Sequence, residues 1–141
     1  MLTIIEKVIF LQDIDIFKQT TTENLRYLAQ ITDEVEFEQD ETIYQEGDFP
    51  DSLYLVLEGE VRLERNGREI TTVKTNGVIG SWALFDDEPR EMTAKTTNES
   101  RLLRIDKEDF YDVLADHAQI TESIFNALSK KAKALISRVN H

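Results

Sequence analysis

The sequence predicts a mainly β domain, a small β-barrel or jelly roll, set between N-terminal helices and a long C-terminal helix. Three observations carry this. Apolar residues recur at helical spacing near both ends, they alternate with charged residues across the middle, and Asn66-Gly67 separates two of the alternating runs. With 141 residues and 40% hydrophobic content there is enough apolar side chain for one ordinary core. Residues 1–141 are therefore expected to form a single domain, divided into helices over 1–34, a β region over 35–106 and helices over 107–141.

In the first region Ile4, Ile5, Val8 and Ile9 share one helical face, and Leu25, Leu28 and Ala29 share another. The run TTTEN offers a capping threonine ahead of the second face, so two short helices are expected. From Val35 the period changes to two. EVEFEQDETIYQEGD and SLYLVLEGEVRLERNGREITTVKTNG place apolar residues on one side and charges on the other, the pattern of half-buried strands. Asn66-Gly67 suits a type I′ hairpin, whose two central residues both need positive φ. Gly47 and Gly59 fall at strand ends, where a turn or bulge is expected. RLLRIDKEDF closes the β region. Helical spacing returns from Lys107, through Phe110, Val113 and Leu114, and then along Ile124, Leu128, Leu135 and Val139. Phe37, Tyr54, Val56, Val61 and Leu63 are the interior candidates.

Composition excludes several function classes. A net charge of −12, with Lys and Arg scattered except in SKKAKALISR, leaves no basic patch to displace counterions, so direct nucleic-acid binding is not expected. The longest apolar runs fall far short of the roughly 18 residues of a membrane span. The start MLTIIEKVIF lacks a basic leader, which predicts a soluble, cytoplasmic protein. With no cysteine there is neither a disulfide nor a thiolate chemistry to consider. Neither His117 nor His141 has a cysteine, histidine cluster or triad beside it, so no catalytic residue and no metal site is assigned. Asp86, Asp87, Glu88 and Glu91 lack the spacing of a calcium loop and read as a solvated acidic turn.

Three stretches, FLQDIDIFKQTTTENLRYLAQ, FEQDETIYQEGDFPDSLYLVLEGEVRL and GVIGSWALFDDEPREMTA, resemble successive blocks of the cyclic-nucleotide-binding domain of catabolite-activator-type regulators, cyclic-nucleotide-dependent kinases and gated channels. Gly47, Gly59, Gly77 and Gly80, the aromatic pair Phe37 and Tyr54, and Arg90 fall in family order from about Lys7 to about Val139. The resemblance implies an eight-stranded jelly roll, also called a double-stranded β-helix, and a ligand, cyclic AMP or cyclic GMP. It places the ligand-binding candidates at Gly80, Ser81, Trp82, Ala83, Arg90, Glu91 and Met92.

A cyclic phosphate carries one negative charge and suits a guanidinium that donates two parallel hydrogen bonds, together with free backbone N–H groups at the start of a helical turn. Arg90 and the turn near Ser81 match those roles. Two positions depart from the family pattern. Ser81 stands where a glutamate accepts from the ribose hydroxyl, and losing that charge-assisted bond costs about 1.5–3 kcal/mol. Glu91 stands where a small residue follows the arginine. A carboxylate about 4 Å from a phosphate repels it by up to about 4 kcal/mol at an effective dielectric of 20, unless strand alternation turns it away.

Each feature also has a purely structural reading. Arg90 would pair with Glu91 or the DDE turn, and Trp82 would be core rather than a stacking platform for a purine. Two functions follow. One is a regulatory sensor that binds cyclic nucleotide weakly or through altered contacts and signals through the C-terminal helix. The other is an interaction or oligomerisation module whose pocket is defunct. In both, the output domain or partner lies outside this chain, and the Leu135 to Val139 end of the last helix is expected to join a second copy in a homodimer.

Overall fold

The structure, a computed structural model, describes residues 1–139, except for the side chain of Trp82. The expectations for His141 and for the Trp82 ring therefore lie outside the described residues. The chain divides into two compact units, one formed by Met1 and residues 31–110, the other by residues 2–30 and the chain from Tyr111 onward.

The first unit is mainly β. Its strands are β1 (Thr32–Phe37), β2 (Thr42–Tyr44), β3 (Ser52–Glu58), β4 (Val61–Arg65), β5 (Arg68–Val73), β6 (Val78–Ile79), β7 (Thr93–Thr96) and β8 (Ser100–Asp106). They form two antiparallel four-stranded sheets, in the orders β1-β8-β3-β6 and β2-β7-β4-β5, rather than one closed hydrogen-bonded barrel. One apolar cluster joins the sheets. Tyr54, Val56, Ile79 and Leu102 come from the first, and Val61, Leu63 and Ala94 from the second. Phe37, half-buried, packs at its margin with Tyr44 and Met92. Burying an aliphatic side chain of this size contributes about 1.5–3 kcal/mol, so the cluster is a major source of this unit's stability.

Local chemistry explains the joints. Asn66 and Gly67 have φ of 53° and 77°, and Arg65 pairs with Arg68 across them, as a two-residue hairpin of the primed type requires. β1 begins at Thr32, three residues before the alternation expected from Val35. Its pairing with β8, from Thr32 opposite Ile105 to Phe37 opposite Ser100, extends the strand into sequence that has no period-two pattern of its own. β3 also departs from simple alternation, because Ser52 to Val56 are all buried, as befits the continuous apolar run SLYLV.

The second unit is helical. It contains α1 (Ile4–Leu11), a 3₁₀ turn at Asp15–Phe17, α2 (Thr22–Gln30), most of α3 (Lys107–Asp116) and α4 (Ala118–Val139). Thr3 and Glu6 make a reciprocal capping box at the start of α1. The Glu6 amide donates to Thr3 Oγ1 at 3.1 Å and the Thr3 amide donates to Glu6 Oε1 at 2.9 Å. Donation from the Thr3 amide, and next the nearby Thr3 hydroxyl, hold the Glu6 carboxyl below its ordinary pKa. Thr21 caps α2 by accepting from the Asn24 amide at 3.3 Å. The long stripe of the last helix is split in character. Ile124 is buried and Leu128 half-buried, whereas Leu135, Ile136 and Val139 are exposed. His117 stacks on Tyr27, with ring centroids 3.7 Å apart. Among the described residues no helix is long and apolar enough to cross a membrane.

Candidate functional site

The first unit holds a cavity of about 410 Å³ whose walls come from the end of β2, the β6 strand, the turn after it and the loop before β7. Of the sequence candidates, Gly80, Ser81, Ala83, Arg90, Glu91 and Met92 all line it. Tyr44, Leu63 and Ile79 supply much of the apolar wall, while Asp86 and Glu88 add carboxylates.

Arg90 is the organising residue. Its side chain is only 5% exposed. Nη2 donates to the Ser52 carbonyl at 2.6 Å and Nη1 donates to the Gly80 carbonyl at 3.4 Å. The guanidinium carbon lies 4.1 Å from the centroid of the Tyr44 ring, a cation–π distance. Asp51 approaches Nη2 at 3.8 Å. The expected pairing of Arg90 with Glu91 or with the DDE turn is thus replaced by carbonyls, an aromatic face and Asp51. The backbone is fixed as well: the Arg90 amide donates to the Asp48 carbonyl at 2.9 Å, and the Gly47 amide to the Arg90 carbonyl at 2.8 Å. Nε is buried and has no hydrogen-bond partner among the described residues. A guanidinium carries five donors, so this group, although anchored, retains donors for an anion.

Gly80 is required by this arrangement. Its φ is +74°, and a Cβ there would run into Arg90 Nη1 and approach the Ser52 carbonyl at 3.4 Å. The 3₁₀ turn Ser81–Leu84 follows directly. Its first internal hydrogen bond, from the Ala83 amide to the Gly80 carbonyl at 3.1 Å, occupies one of the N–H groups that the sequence reading assigned to ligand.

Glu91 turns outward. Its side chain is 68% exposed and its carboxylate meets Arg65 Nη2 at 3.5 Å, so it does not compete for Arg90. Met92, next in the chain, packs back against the apolar cluster. Both residues lie in the bend just before β7, so it is the ion pair with Arg65, rather than strand alternation, that draws the Glu91 carboxylate away from Arg90 while the residue still borders the cavity. The acidic turn is also engaged. Asp87 Oδ1 accepts from Lys107 Nζ at 2.6 Å, the Asp86 carbonyl accepts from the same ammonium at 2.8 Å, and Asp86 Oδ1 accepts from the Glu88 amide at 3.0 Å.

Tyr44 was not among the sequence candidates. Burial pushes its hydroxyl up to about 12; the Arg90 charge opposes this and the neighbouring Tyr54 reinforces it, so Tyr44 is neutral at any physiological pH. An aromatic residue in an alternating strand carries no mark that distinguishes a guanidinium platform from core. Ser52 and Asp51 were missed too, the first because it acts through a backbone carbonyl that any residue supplies.

These features meet in a family. Residues 34–117, more than half of the chain, match the family model for the cyclic nucleotide-binding domain, and the chain belongs to that family. It is 29% identical over 104 residues to the CRP-like cAMP-activated global transcriptional regulator of Mycobacterium tuberculosis, a match spanning 70% of this chain and 46% of the regulator. It is 28% identical over 100 residues to the cGMP-dependent protein kinase of Plasmodium berghei, spanning 70% of this chain and 12% of the kinase. The chain therefore corresponds to under half the length of either relative. Among solved structures, the N-terminal domain of a transcriptional regulator from Streptomyces coelicolor superposes with a TM-score of 0.82 at 28% identity, covering 89% of this chain and 94% of that one. The catabolite activator protein of Thermus thermophilus shares the fold, with a TM-score of 0.72 at 21% identity over 89% of this chain and 62% of that one.

Proposed function

We propose that this chain is a regulatory ligand-sensing module that takes cyclic AMP or cyclic GMP into the cavity lined by Arg90 and holds it weakly. One observation carries the reading: a guanidinium that is almost wholly buried lines the cavity, and its Nε–H has no hydrogen-bond partner among the described residues. Burying a donor without a partner costs about 1–3 kcal/mol, a penalty that an anionic oxygen would relieve. The mycobacterial regulator responds to cyclic AMP and the plasmodial kinase depends on cyclic GMP, so the two nucleotides are the first ligands to try. The strand orders β1-β8-β3-β6 and β2-β7-β4-β5 support the finer description of the fold as an eight-stranded jelly roll. The module has no catalytic role of its own, works in the cytoplasm and passes occupancy through α4 to an output domain or partner outside these residues.

Weak binding follows from Ser81 more than from Glu91. Ser81 supplies no charged acceptor, whereas the outward turn of Glu91 onto Arg65 removes most of the repulsion feared at that position. Titration calorimetry of the unaltered chain with each nucleotide tests the reading. Ser81→Glu should tighten binding roughly tenfold, the worth of one charge-assisted hydrogen bond. Glu91→Ala should change it much less. Tight binding by the unaltered chain would remove the claim of weakness; heat from none of the variants, at millimolar nucleotide, would remove the sensor.

A second reading has its own support. The Ser52 carbonyl and the Tyr44 ring already hold Arg90, acidic side chains line the cavity, and Leu135, Ile136 and Val139 are exposed. In that reading the pocket is structural and the chain serves as an interaction or oligomerisation module.

A further inference from the structure

Lys107 opens α3, yet its ammonium is directed at the cavity wall. The side chain is 11% exposed, with Nζ donating to the Asp86 carbonyl and to Asp87 Oδ1. Its backbone amide donates to the Asp51 carbonyl at 2.9 Å. These contacts fasten two separate segments to one residue. The Asp86 to Glu88 turn leads through Pro89 into Arg90, and Asp86 and Glu88 line the cavity. Asp51 and Ser52 are the segment that grips the guanidinium, through the Ser52 carbonyl at 2.6 Å and the Asp51 carboxylate at 3.8 Å. Arg90 is thus held from its chain side and from its head side by elements that converge on Lys107.

We infer that Lys107 is the positioning residue for Arg90: it sets the acidic turn and the Asp51–Ser52 segment in register and so aims the guanidinium into the cavity. A buried ammonium is suited to this. Its three donors must be met by oxygens, and the turn supplies two of them, one from the backbone and one from a carboxylate. Asp87 is 83% exposed, so its ion pair alone is screened by solvent. The hold therefore resides chiefly in the hydrogen bond to the Asp86 carbonyl, where a neutral side chain of equal length cannot replace it. Lys107 is the first residue of α3, so the residue that opens this helix is the one that holds the turn before Arg90.

This inference builds on the sensing reading, and its test separates the two. Hydrogen exchange of the ligand-free chain comes first, comparing the unaltered protein with Lys107→Met, Lys107→Arg and Asp87→Asn. In Lys107→Met the Arg90 and Gly47 amides, which bond to the Asp48 and Arg90 carbonyls, should exchange on the order of tenfold faster, the worth of one such hydrogen bond. Lys107→Arg should restore protection, and Asp87→Asn should loosen the same amides slightly. Should Lys107→Met fail to fold, Lys107→Gln, which is shorter and uncharged, takes its place and should loosen the same amides. Nucleotide titration follows, and Lys107→Met should weaken cyclic AMP binding by a similar factor while Lys107→Arg does not. Unchanged exchange in both Lys107→Met and Asp87→Asn overturns the inference, as does a loosened turn with undiminished affinity. If the unaltered chain binds neither nucleotide, the sensing reading fails and the exchange comparison alone decides the role of Lys107.

Discussion

Two glycines show how similar residues do different work. Gly67 and Gly80 both have positive φ, at 77° and 74°. At Gly67 a Cβ would meet nothing within 4 Å, so Gly67→Ala carries only the conformational penalty of the left-handed region, about 1 kcal/mol. At Gly80 the same Cβ collides with Arg90 Nη1. Gly80→Ala adds displacement of a buried guanidinium to that penalty and should cost about 2–4 kcal/mol, near the top of what one strained site produces. Thermal or urea unfolding of the two variants checks the difference. Equal losses would mean that Arg90 moves aside freely and is not anchored as described. The contrast also bears on function, since a side chain at 80 would move Arg90 while leaving its charge intact.

At the scale of elements, α4 is the outlier. Ile124 is buried, but Phe125, Leu135, Ile136 and Val139 are exposed, and two of the three lysines between them are drawn to the N-terminal segment, Lys131 to Asp15 at 3.5 Å and Lys130 to Gln19 at 3.2 Å. Leu135 and Val139 are four residues apart and share a face, so a second copy of the chain is the expected cover. Light scattering should give the mass of a dimer for the unaltered chain and of a monomer for Leu135→Glu, Val139→Glu. A monomer in both cases rejects the dimer. Elements of this kind were legible from sequence because their causes are local: helical spacing, a threonine cap, an Asn-Gly pair. The start of β1 was not, since Thr32 and Asp33 are extended by pairing with Ile105 and Arg104, some seventy residues away. The site divides in the same way. Gly80 to Met92 form one contiguous stretch and could be read together. Tyr44, Ser52 and Lys107 reach Arg90 or its loop only through the sheet topology, and Ser52 acts through a carbonyl that leaves no trace in side-chain chemistry.

For the whole molecule the question is whether the two compact units respond together. The cavity lies in the β unit and α4 in the helical one, and the chain passes between units near residue 30 and again within α3. A ligand stabilises whatever it binds by RT ln(1 + [L]/Kd), about 2.7 kcal/mol at a hundredfold excess over Kd, and it shifts another element only by its differential affinity for that element's two states. Binding alone therefore makes no sensor. If occupancy is transmitted, saturating cyclic nucleotide should slow or speed amide exchange in α4 as well as in the turn at Ser81–Leu84. If the units are independent, protection should change around Arg90 while α4 keeps its ligand-free rates. The Ser81→Glu variant makes the comparison feasible, because its tighter binding brings saturation within reach and the substitution itself lies outside the helical unit. An unaltered α4 in that saturated variant would leave a pocket without an output and return the chain to the interaction-module reading. A changed α4 would establish coupling, and adding Lys107→Met to the same variant would then show whether the signal travels through the first turn of α3.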